Sequence, residues 1–166
     1  MNALQSLENS FNNIFVKKAP ALPDSGKKVL VKYLPWINLV LGLLILLSAY
    51  SLWQWAHPAD NLINYANSLS ALYAGQVIST NYLTFAVWLG LAVLVVEALL
   101  FIAAFMATRD HKKSGWNLMF YAMLVSIVYA VVTIFTSYGM GHVISSLIGS
   151  AVGLYLLFQI RASYVK

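Results

Sequence analysis

One carboxylic acid, Glu97, stands inside an apolar run of 26 residues, Tyr82–Ala107 (YLTFAVWLGLAVLVVEALLFIAAFMA). No other formal charge lies inside any hydrophobic run of the chain. A carboxyl so placed can carry a proton or hold a cation on a path through a membrane, or it can clamp helices together as a neutral hydrogen-bonding group. Facing lipid near mid-membrane would cost it at least about 2–3 kcal/mol, so it is expected to face protein or water. Ala86, Gly90 and Ala104 share its helical face, and small residues mark close helix contacts. No Lys or Arg lies at similar depth, so a salt bridge within one chain is not expected and the acid is read as neutral unless water reaches it.

The next apolar stretch offers partners. Ser126, Tyr129, Thr133 and Ser137 recur at helical spacing and form one polar stripe, with Ser126 and Tyr129 near the depth of Glu97. Glu97, Ser126, Tyr129 and Thr133 therefore make a candidate intramembrane polar site. Hydrogen bonding between helices is the favoured role, and the lining of a polar path is the alternative. Gly90 and the small-residue repeat Ser145, Gly149, Gly153 are candidate helix-packing positions, because a missing side chain lets backbones approach. The repeat could pack inside the chain, which is favoured, or against a second copy. His57, Asp60 and His142 are a weak metal set, since the three are not at ligand spacing on one helix.

Other chemistries have no residues to carry them. The chain has no cysteine, which excludes disulfides, thiolate metal sites and disulfide exchange. It contains no G-x-S-x-G, no P-loop and no H-E-x-x-H. Neither an enzyme nor a cofactor or metal is expected.

The elements that must position these residues follow from composition. The 166 residues are 61% hydrophobic and 9% charged, with mean hydropathy +0.76. A soluble domain is about a quarter charged, so lipid must be the solvent for much of this chain. At the N-terminus, Leu4, Leu7, Phe11, Ile14 and Phe15 recur at helical spacing up to Lys17–Lys18. That predicts an amphipathic helix on the inner leaflet, or alternatively one packed on the protein's own cytoplasmic face. Ala19–Gly26 reads as a linker, broken by Pro20, Pro23 and Gly26. Trp36–Trp55 is almost wholly apolar, and twenty residues cover roughly 30 Å. Pro35 suits its first turn. His57–Gly75 is too polar to span and predicts a separate short amphipathic helix along the outer surface, opened by Pro58.

From Ser114 to Ile160 no residue carries a formal charge. A continuous helix there would reach about 70 Å, more than twice the hydrocarbon thickness, so the chain must fold back. The break is expected at Tyr138–His142, around Gly139 and Gly141. The expected fold is an all-α integral membrane protein: a four-transmembrane-helix bundle (about 35–56, 82–107, 116–138 and 143–160) with an N-terminal amphipathic interfacial helix and a short outer-face amphipathic helix between helices 1 and 2. Residues 1–32 form a cytoplasmic segment with a basic linker, and residues 33–166 the transmembrane domain.

The ten Lys and Arg fall in three segments: Lys17, Lys18, Lys27, Lys28 and Lys32; then Arg109, Lys112 and Lys113; then Arg161 and Lys166. In a four-helix topology all lie on one side, which the positive-inside rule makes cytoplasmic, with both termini. The net charge of +5 thus faces an inner leaflet, and nucleic acid is not expected as a partner. The expected partners are the bilayer, anionic lipids of its inner leaflet, and a second copy or another membrane protein. A bacterial inner membrane suits the small size and compact loops.

Two functions fit these expectations: a non-enzymatic membrane scaffold or partner-binding subunit, which is favoured, or an oligomeric proton-coupled or cation transporter or channel centred on Glu97. The small multidrug transporters offer a comparison, being four-helix chains with one essential membrane glutamate. Their acid is on the first helix and their chains are shorter, and none of their residues carries over.

Overall fold

The structure, a computed structural model, describes residues 3–73, 85–134 and 140–164, and within them all side chains except those of residues 3, 70–73, 86, 134 and 140–146. Helix α1 (Ala3–Asn12) runs on into a wider π-helical turn, Asn13–Lys18. Four helices follow: α2 (Asp24–Tyr73), α3 (Phe85–Arg109), α4 (Lys113–Ile134) and α5 (Met140–Gln159), with a short 3₁₀ turn at Arg161–Ser163. No strand occurs among the described residues. Three stretches, Asp24–Leu69, Val87–Arg109 and Lys113–Thr133, are long and apolar enough to cross a membrane, and α5 carries a shorter apolar stretch, Leu147–Gln159.

Helix α2 corrects three expected boundaries. It begins at Asp24, directly after Pro23, so Gly26 lies inside it and the non-helical linker shrinks to residues 19–23. Its first turn is closed by the Lys27 N–H donating to the Pro23 carbonyl at 3.0 Å. Pro35 is therefore an interior residue and not an opening one. Nor does the helix stop at Pro58. It continues to Tyr73, so residues 57–73 of the separate outer-face helix expected over 57–75 are the last part of a single 50-residue helix. A proline removes one N–H from the ladder and crowds the carbonyl four residues earlier, which is a local cost. Ala59, Leu62, Ala66 and Leu69 then favour propagation of a helix already nucleated. At 1.5 Å per residue α2 is roughly 75 Å long, far more than a bilayer needs.

Buried positions form one stripe per helix. On α2 it passes through Leu34, Asn38, Gly42, Ala49 and Ala56, and on α3 through Val87, Gly90, Glu97, Phe101, Ala104 and Thr108. Steps of three, four and seven residues keep a face constant. The other faces carry Val40, Leu44, Trp88 and Leu99, all exposed within the chain. Helices pack in chain order, α2 on α3, α3 on α4 and α4 on α5. A missing side chain permits the first contact: a Cβ on Gly42 would lie 2.6 Å from Ile102 Cγ1 and 3.1 Å from the Ala98 carbonyl oxygen.

The main core sits at the end where α3 meets α4, built on Trp116, Phe120, Leu154, Phe158 and Ile160. Phe11 and Phe15 pack into it, with Phe11 edge-on to Phe120 at 6.2 Å. Leu4, Leu7 and Ile14 remain exposed. The turn between α3 and α4 is a Schellman closure. The Lys112 N–H donates to the Ala107 carbonyl and the His111 N–H to that of Thr108, with His111 in the left-handed region at φ 52°. This closure makes α3 and α4 antiparallel neighbours, and it sets the level at which their polar residues meet.

Candidate functional site

Glu97 lies at the midpoint of α3, twelve residues from Phe85 and twelve from Arg109. It belongs to the buried stripe and is 8% exposed. The hydroxyl of Ser126 on α4 donates to Glu97 Oε1 at 2.5 Å. A hydroxyl is a suitable partner here, because it can donate to a carboxylate and also accept from a protonated acid. Tyr129, one turn further along α4, brings its hydroxyl against the backbone of Gly90, where a Cβ would meet it at 2.7 Å. Thr133 turns back on its own helix, its hydroxyl donating to the Ala130 carbonyl at 2.8 Å. The structure therefore brings together Glu97 with Ser126 and Gly90 with Tyr129, while Thr133 bonds within its own helix. Of the small residues that share the face of Glu97, Gly90 and Ala104 are buried; the Ala86 side chain, like Ser137, is outside the described residues.

The small-residue repeat on α5 divides. A Cβ on Gly153 would meet Met123 Cε at 2.8 Å, so this glycine packs against α4. Gly149 faces open space, with nothing among the described residues within 4 Å of such a Cβ. The Ser145 side chain is not among those described.

The three metal candidates are not brought into one site by the described residues. His57 is exposed, with Trp53 stacked on it at 5.0 Å, and Asp60 is half-buried. The His142 side chain lies outside the described residues, as do positions 138 and 139 of the break expected over 138–142, and the other three positions of that break are the first residues of α5. Among the described residues no group of three His, Asp or Glu side chains gathers to hold a metal.

A second buried polar node was missed by sequence reasoning. Asn38 is 1% exposed, and its Nδ2 donates to Thr108 Oγ1 at 3.4 Å and toward Met119 Sδ at 3.1 Å. Thr108 is free to accept because its own hydroxyl proton goes to the Ala104 carbonyl at 2.6 Å. The node ties α2, α3 and α4 at one level. The signal was a lone amide early in a run of Leu, Ile and Val.

Gln159 is likewise buried. Its Nε2 donates to the Phe15 carbonyl at 2.8 Å and to that of Pro20 at 3.4 Å, and its Oε1 accepts from the Leu22 N–H at 3.2 Å. Tyr155 adds a hydroxyl bond to the Pro20 carbonyl at 2.8 Å. One end of α5 thus holds the non-helical segment 19–23. Close by, Arg161 pairs with Glu8 and lies 5.6 Å from the Trp116 ring, so the acid of α1 that is isolated in sequence is paired in space.

Fold and site together define an all-helical protein with three helices fit to cross a membrane, joined at buried polar nodes. The chain matches no protein-family model, no curated protein and no solved structure.

Proposed function

We propose that this chain is a small polytopic membrane protein without enzymatic activity, a scaffold or partner-binding subunit. It crosses the bilayer four times, with α5 as the fourth span, and keeps both termini and the basic α3–α4 turn in the cytoplasm. The observation that carries this reading is the Ser126–Glu97 hydrogen bond, which gives the one membrane acid a structural partner on the neighbouring helix. The apolar outer faces of α2, α3 and α5, with Leu44, Leu99 and Val152 exposed, offer the surface that lipid or another membrane protein would cover.

The test is reconstitution into vesicles with measurement of proton and cation flux. Wild type without flux, and a Glu97→Gln variant altered only in stability, is the expected result. Flux abolished by Glu97→Gln overturns the scaffold reading. It would establish the second reading, an oligomeric proton-coupled or cation transporter or channel, which is favoured by the position of the acid halfway along its helix. Mild-detergent pull-down from native membranes tests the partner, and a protein recovered alone counts against one. Orientation is tested with single cysteines, for which the cysteine-free chain is already suited. Lys112→Cys and Ser163→Cys should label from the cytoplasmic side and Asn64→Cys from the other.

A further inference from the structure

At the basic end of the molecule a cavity of about 680 Å³ opens between three separate parts of the chain. The first turns of α2 supply Lys27, Lys28 and Lys32, the end of α3 and the turn after it supply Arg109 and His111, and the 3₁₀ turn after α5 supplies Ser163. Cations 77 residues apart in sequence, Lys32 and Arg109, thus line one space. Like charges repel, and folding brings these together with a single acid, Asp24, among the lining residues. Asp24 on the wall sits 3.7 Å from Lys27, and its side chain is 92% exposed. The nearby Asp110 is held by Lys112 at 2.7 Å, and that bond together with the Lys112 charge keeps its carboxyl below the usual carboxylate range. Among the described residues no acid lies within ion-pair distance of Lys28, Lys32 or Arg109, and Asp110, which also feels the Arg109 charge, is already bonded to Lys112. Such a set lacks its counter-ion.

The geometry of the rim indicates the source of that anion. Pro35 and Trp36 line the same cavity, and with them begins the long apolar run of α2. Trp36 is 58% exposed and packs edge-on against Phe105 of α3 at 5.4 Å. An indole at this place belongs to the level where headgroups meet hydrocarbon. A phosphate seated among the lysines and Arg109 would have its acyl chains leave past Trp36 directly into the apolar layer. A guanidinium from one element and ammonium groups from another suit a phosphate, which Arg can grip with two parallel N–H bonds and Lys as a point charge. Basic pockets between membrane helices on the cytoplasmic side hold anionic headgroups in this way.

We propose that the cavity between the start of α2 and the α3–α4 turn is a binding site for the phosphate headgroup of an anionic lipid, with Lys28, Lys32 and Arg109 as its ligands and Trp36 at the exit of the chains. The site rests on the proposed orientation only for which leaflet supplies the lipid. Otherwise it requires only that the cavity open at the headgroup level.

The experiment uses the full chain in detergent, with lipid binding counted by native mass spectrometry and confirmed by quenching of tryptophan fluorescence with brominated phosphatidylglycerol. Brominated phosphatidylcholine is the zwitterionic control. Wild type should hold phosphatidylglycerol at least tenfold more tightly than phosphatidylcholine. Each cation removed should weaken binding about fivefold, and Lys28→Gln, Lys32→Gln and Arg109→Gln together on the order of a hundredfold. Lys17→Gln with Lys18→Gln removes charge away from the cavity and should leave the preference unchanged, and Trp36→Phe should remove most of the quenching. Equal loss in the Lys17/Lys18 variant would mean general surface attraction and overturn the site. Displacement of the lipid by millimolar glycerol phosphate or inorganic phosphate would overturn the lipid as its source. Binding in detergent is independent of which side faces inward, so a failed cysteine-labelling topology and a failed lipid site are read separately.

Discussion

The Ser126 hydroxyl of α4 donates to Glu97 Oε1 of α3 at 2.5 Å, near the middle of both apolar helices. If that bond is structural, the two side chains must be energetically coupled. A double-mutant cycle with Glu97→Ala and Ser126→Ala, read by unfolding in detergent or bicelles, should give a coupling of about 0.5–1.5 kcal/mol, the range of membrane inter-helix hydrogen bonds. Glu97→Gln keeps a carbonyl acceptor and should lose less stability than Glu97→Ala. A coupling of zero would remove the bond as a reason for the acid.

Gly42 and Gly149 should respond oppositely to the same methyl group. On Gly42 it would strike Ile102 and the Ala98 backbone, so Gly42→Ala should cost about 1–3 kcal/mol. On Gly149 it meets nothing among the described residues within 4 Å, so Gly149→Ala should be neutral within about 0.5 kcal/mol. Gly153→Ala should fall between them, since Met123 is a flexible neighbour that can give. Thermal unfolding of the three variants gives the order. A Gly149→Leu variant whose crosslinked oligomer disappears while its fold persists would instead place a second copy on that face.

Gln159 holds three backbone groups of the segment between Phe15 and Leu22. Gln159→Leu should remove the bonds to the Phe15 carbonyl and the Leu22 N–H, leaving Pro20 to Tyr155, and loosen the N-terminal helix from α5. Amide exchange at Leu22 and proteolysis after Lys17 or Lys18 should each quicken on the order of tenfold, while α2 to α4 keep their protection. Unchanged exchange at Leu22 would mean that Phe11 and Phe15 suffice to dock the segment.

Tyr164 gives the chain a sensitivity to alkali. It is 3% exposed, its hydroxyl has no hydrogen-bond partner among the described residues, and burial pushes its phenol from the ordinary 10.0 to about 12. The folded state therefore holds the proton more tightly than the unfolded one. Its contribution is complete below pH 10 and is lost as the pH rises toward 12. Tyr164→Phe should flatten this part of the alkaline fall. It should also raise stability at neutral pH by up to about 1 kcal/mol, by removing an unpaired buried hydroxyl. Midpoints measured from pH 8 to 12 decide it, and parallel curves for the two proteins would contradict the assignment.

Properties that are sums over neighbouring residues are legible in the amino-acid sequence. Hydropathy marks the apolar runs, and Glu97 stands out because no other charge interrupts them. Helical spacing puts Ser126 and Tyr129 on one face of α4, and counting residues from the turn puts them near the level of Glu97 and Gly90. What stays hidden depends on residues far apart in the chain. Asn38 is one more polar residue in sequence, yet in the fold Thr108 and Met119, 70 and 81 positions away, lie against it. The pairing of Glu8 with Arg161 spans 153 positions. The run of α2 through Pro58 is hidden for a related reason. A breaker's local cost can be read at one residue, whereas the cooperativity of a 50-residue helix belongs to all of it. The sequence by itself determined the solvent this chain requires and the spacing of its polar groups, because both are local properties. Only the tertiary structure decided which of those groups meet, because that depends on how the helices are rotated and shifted against one another.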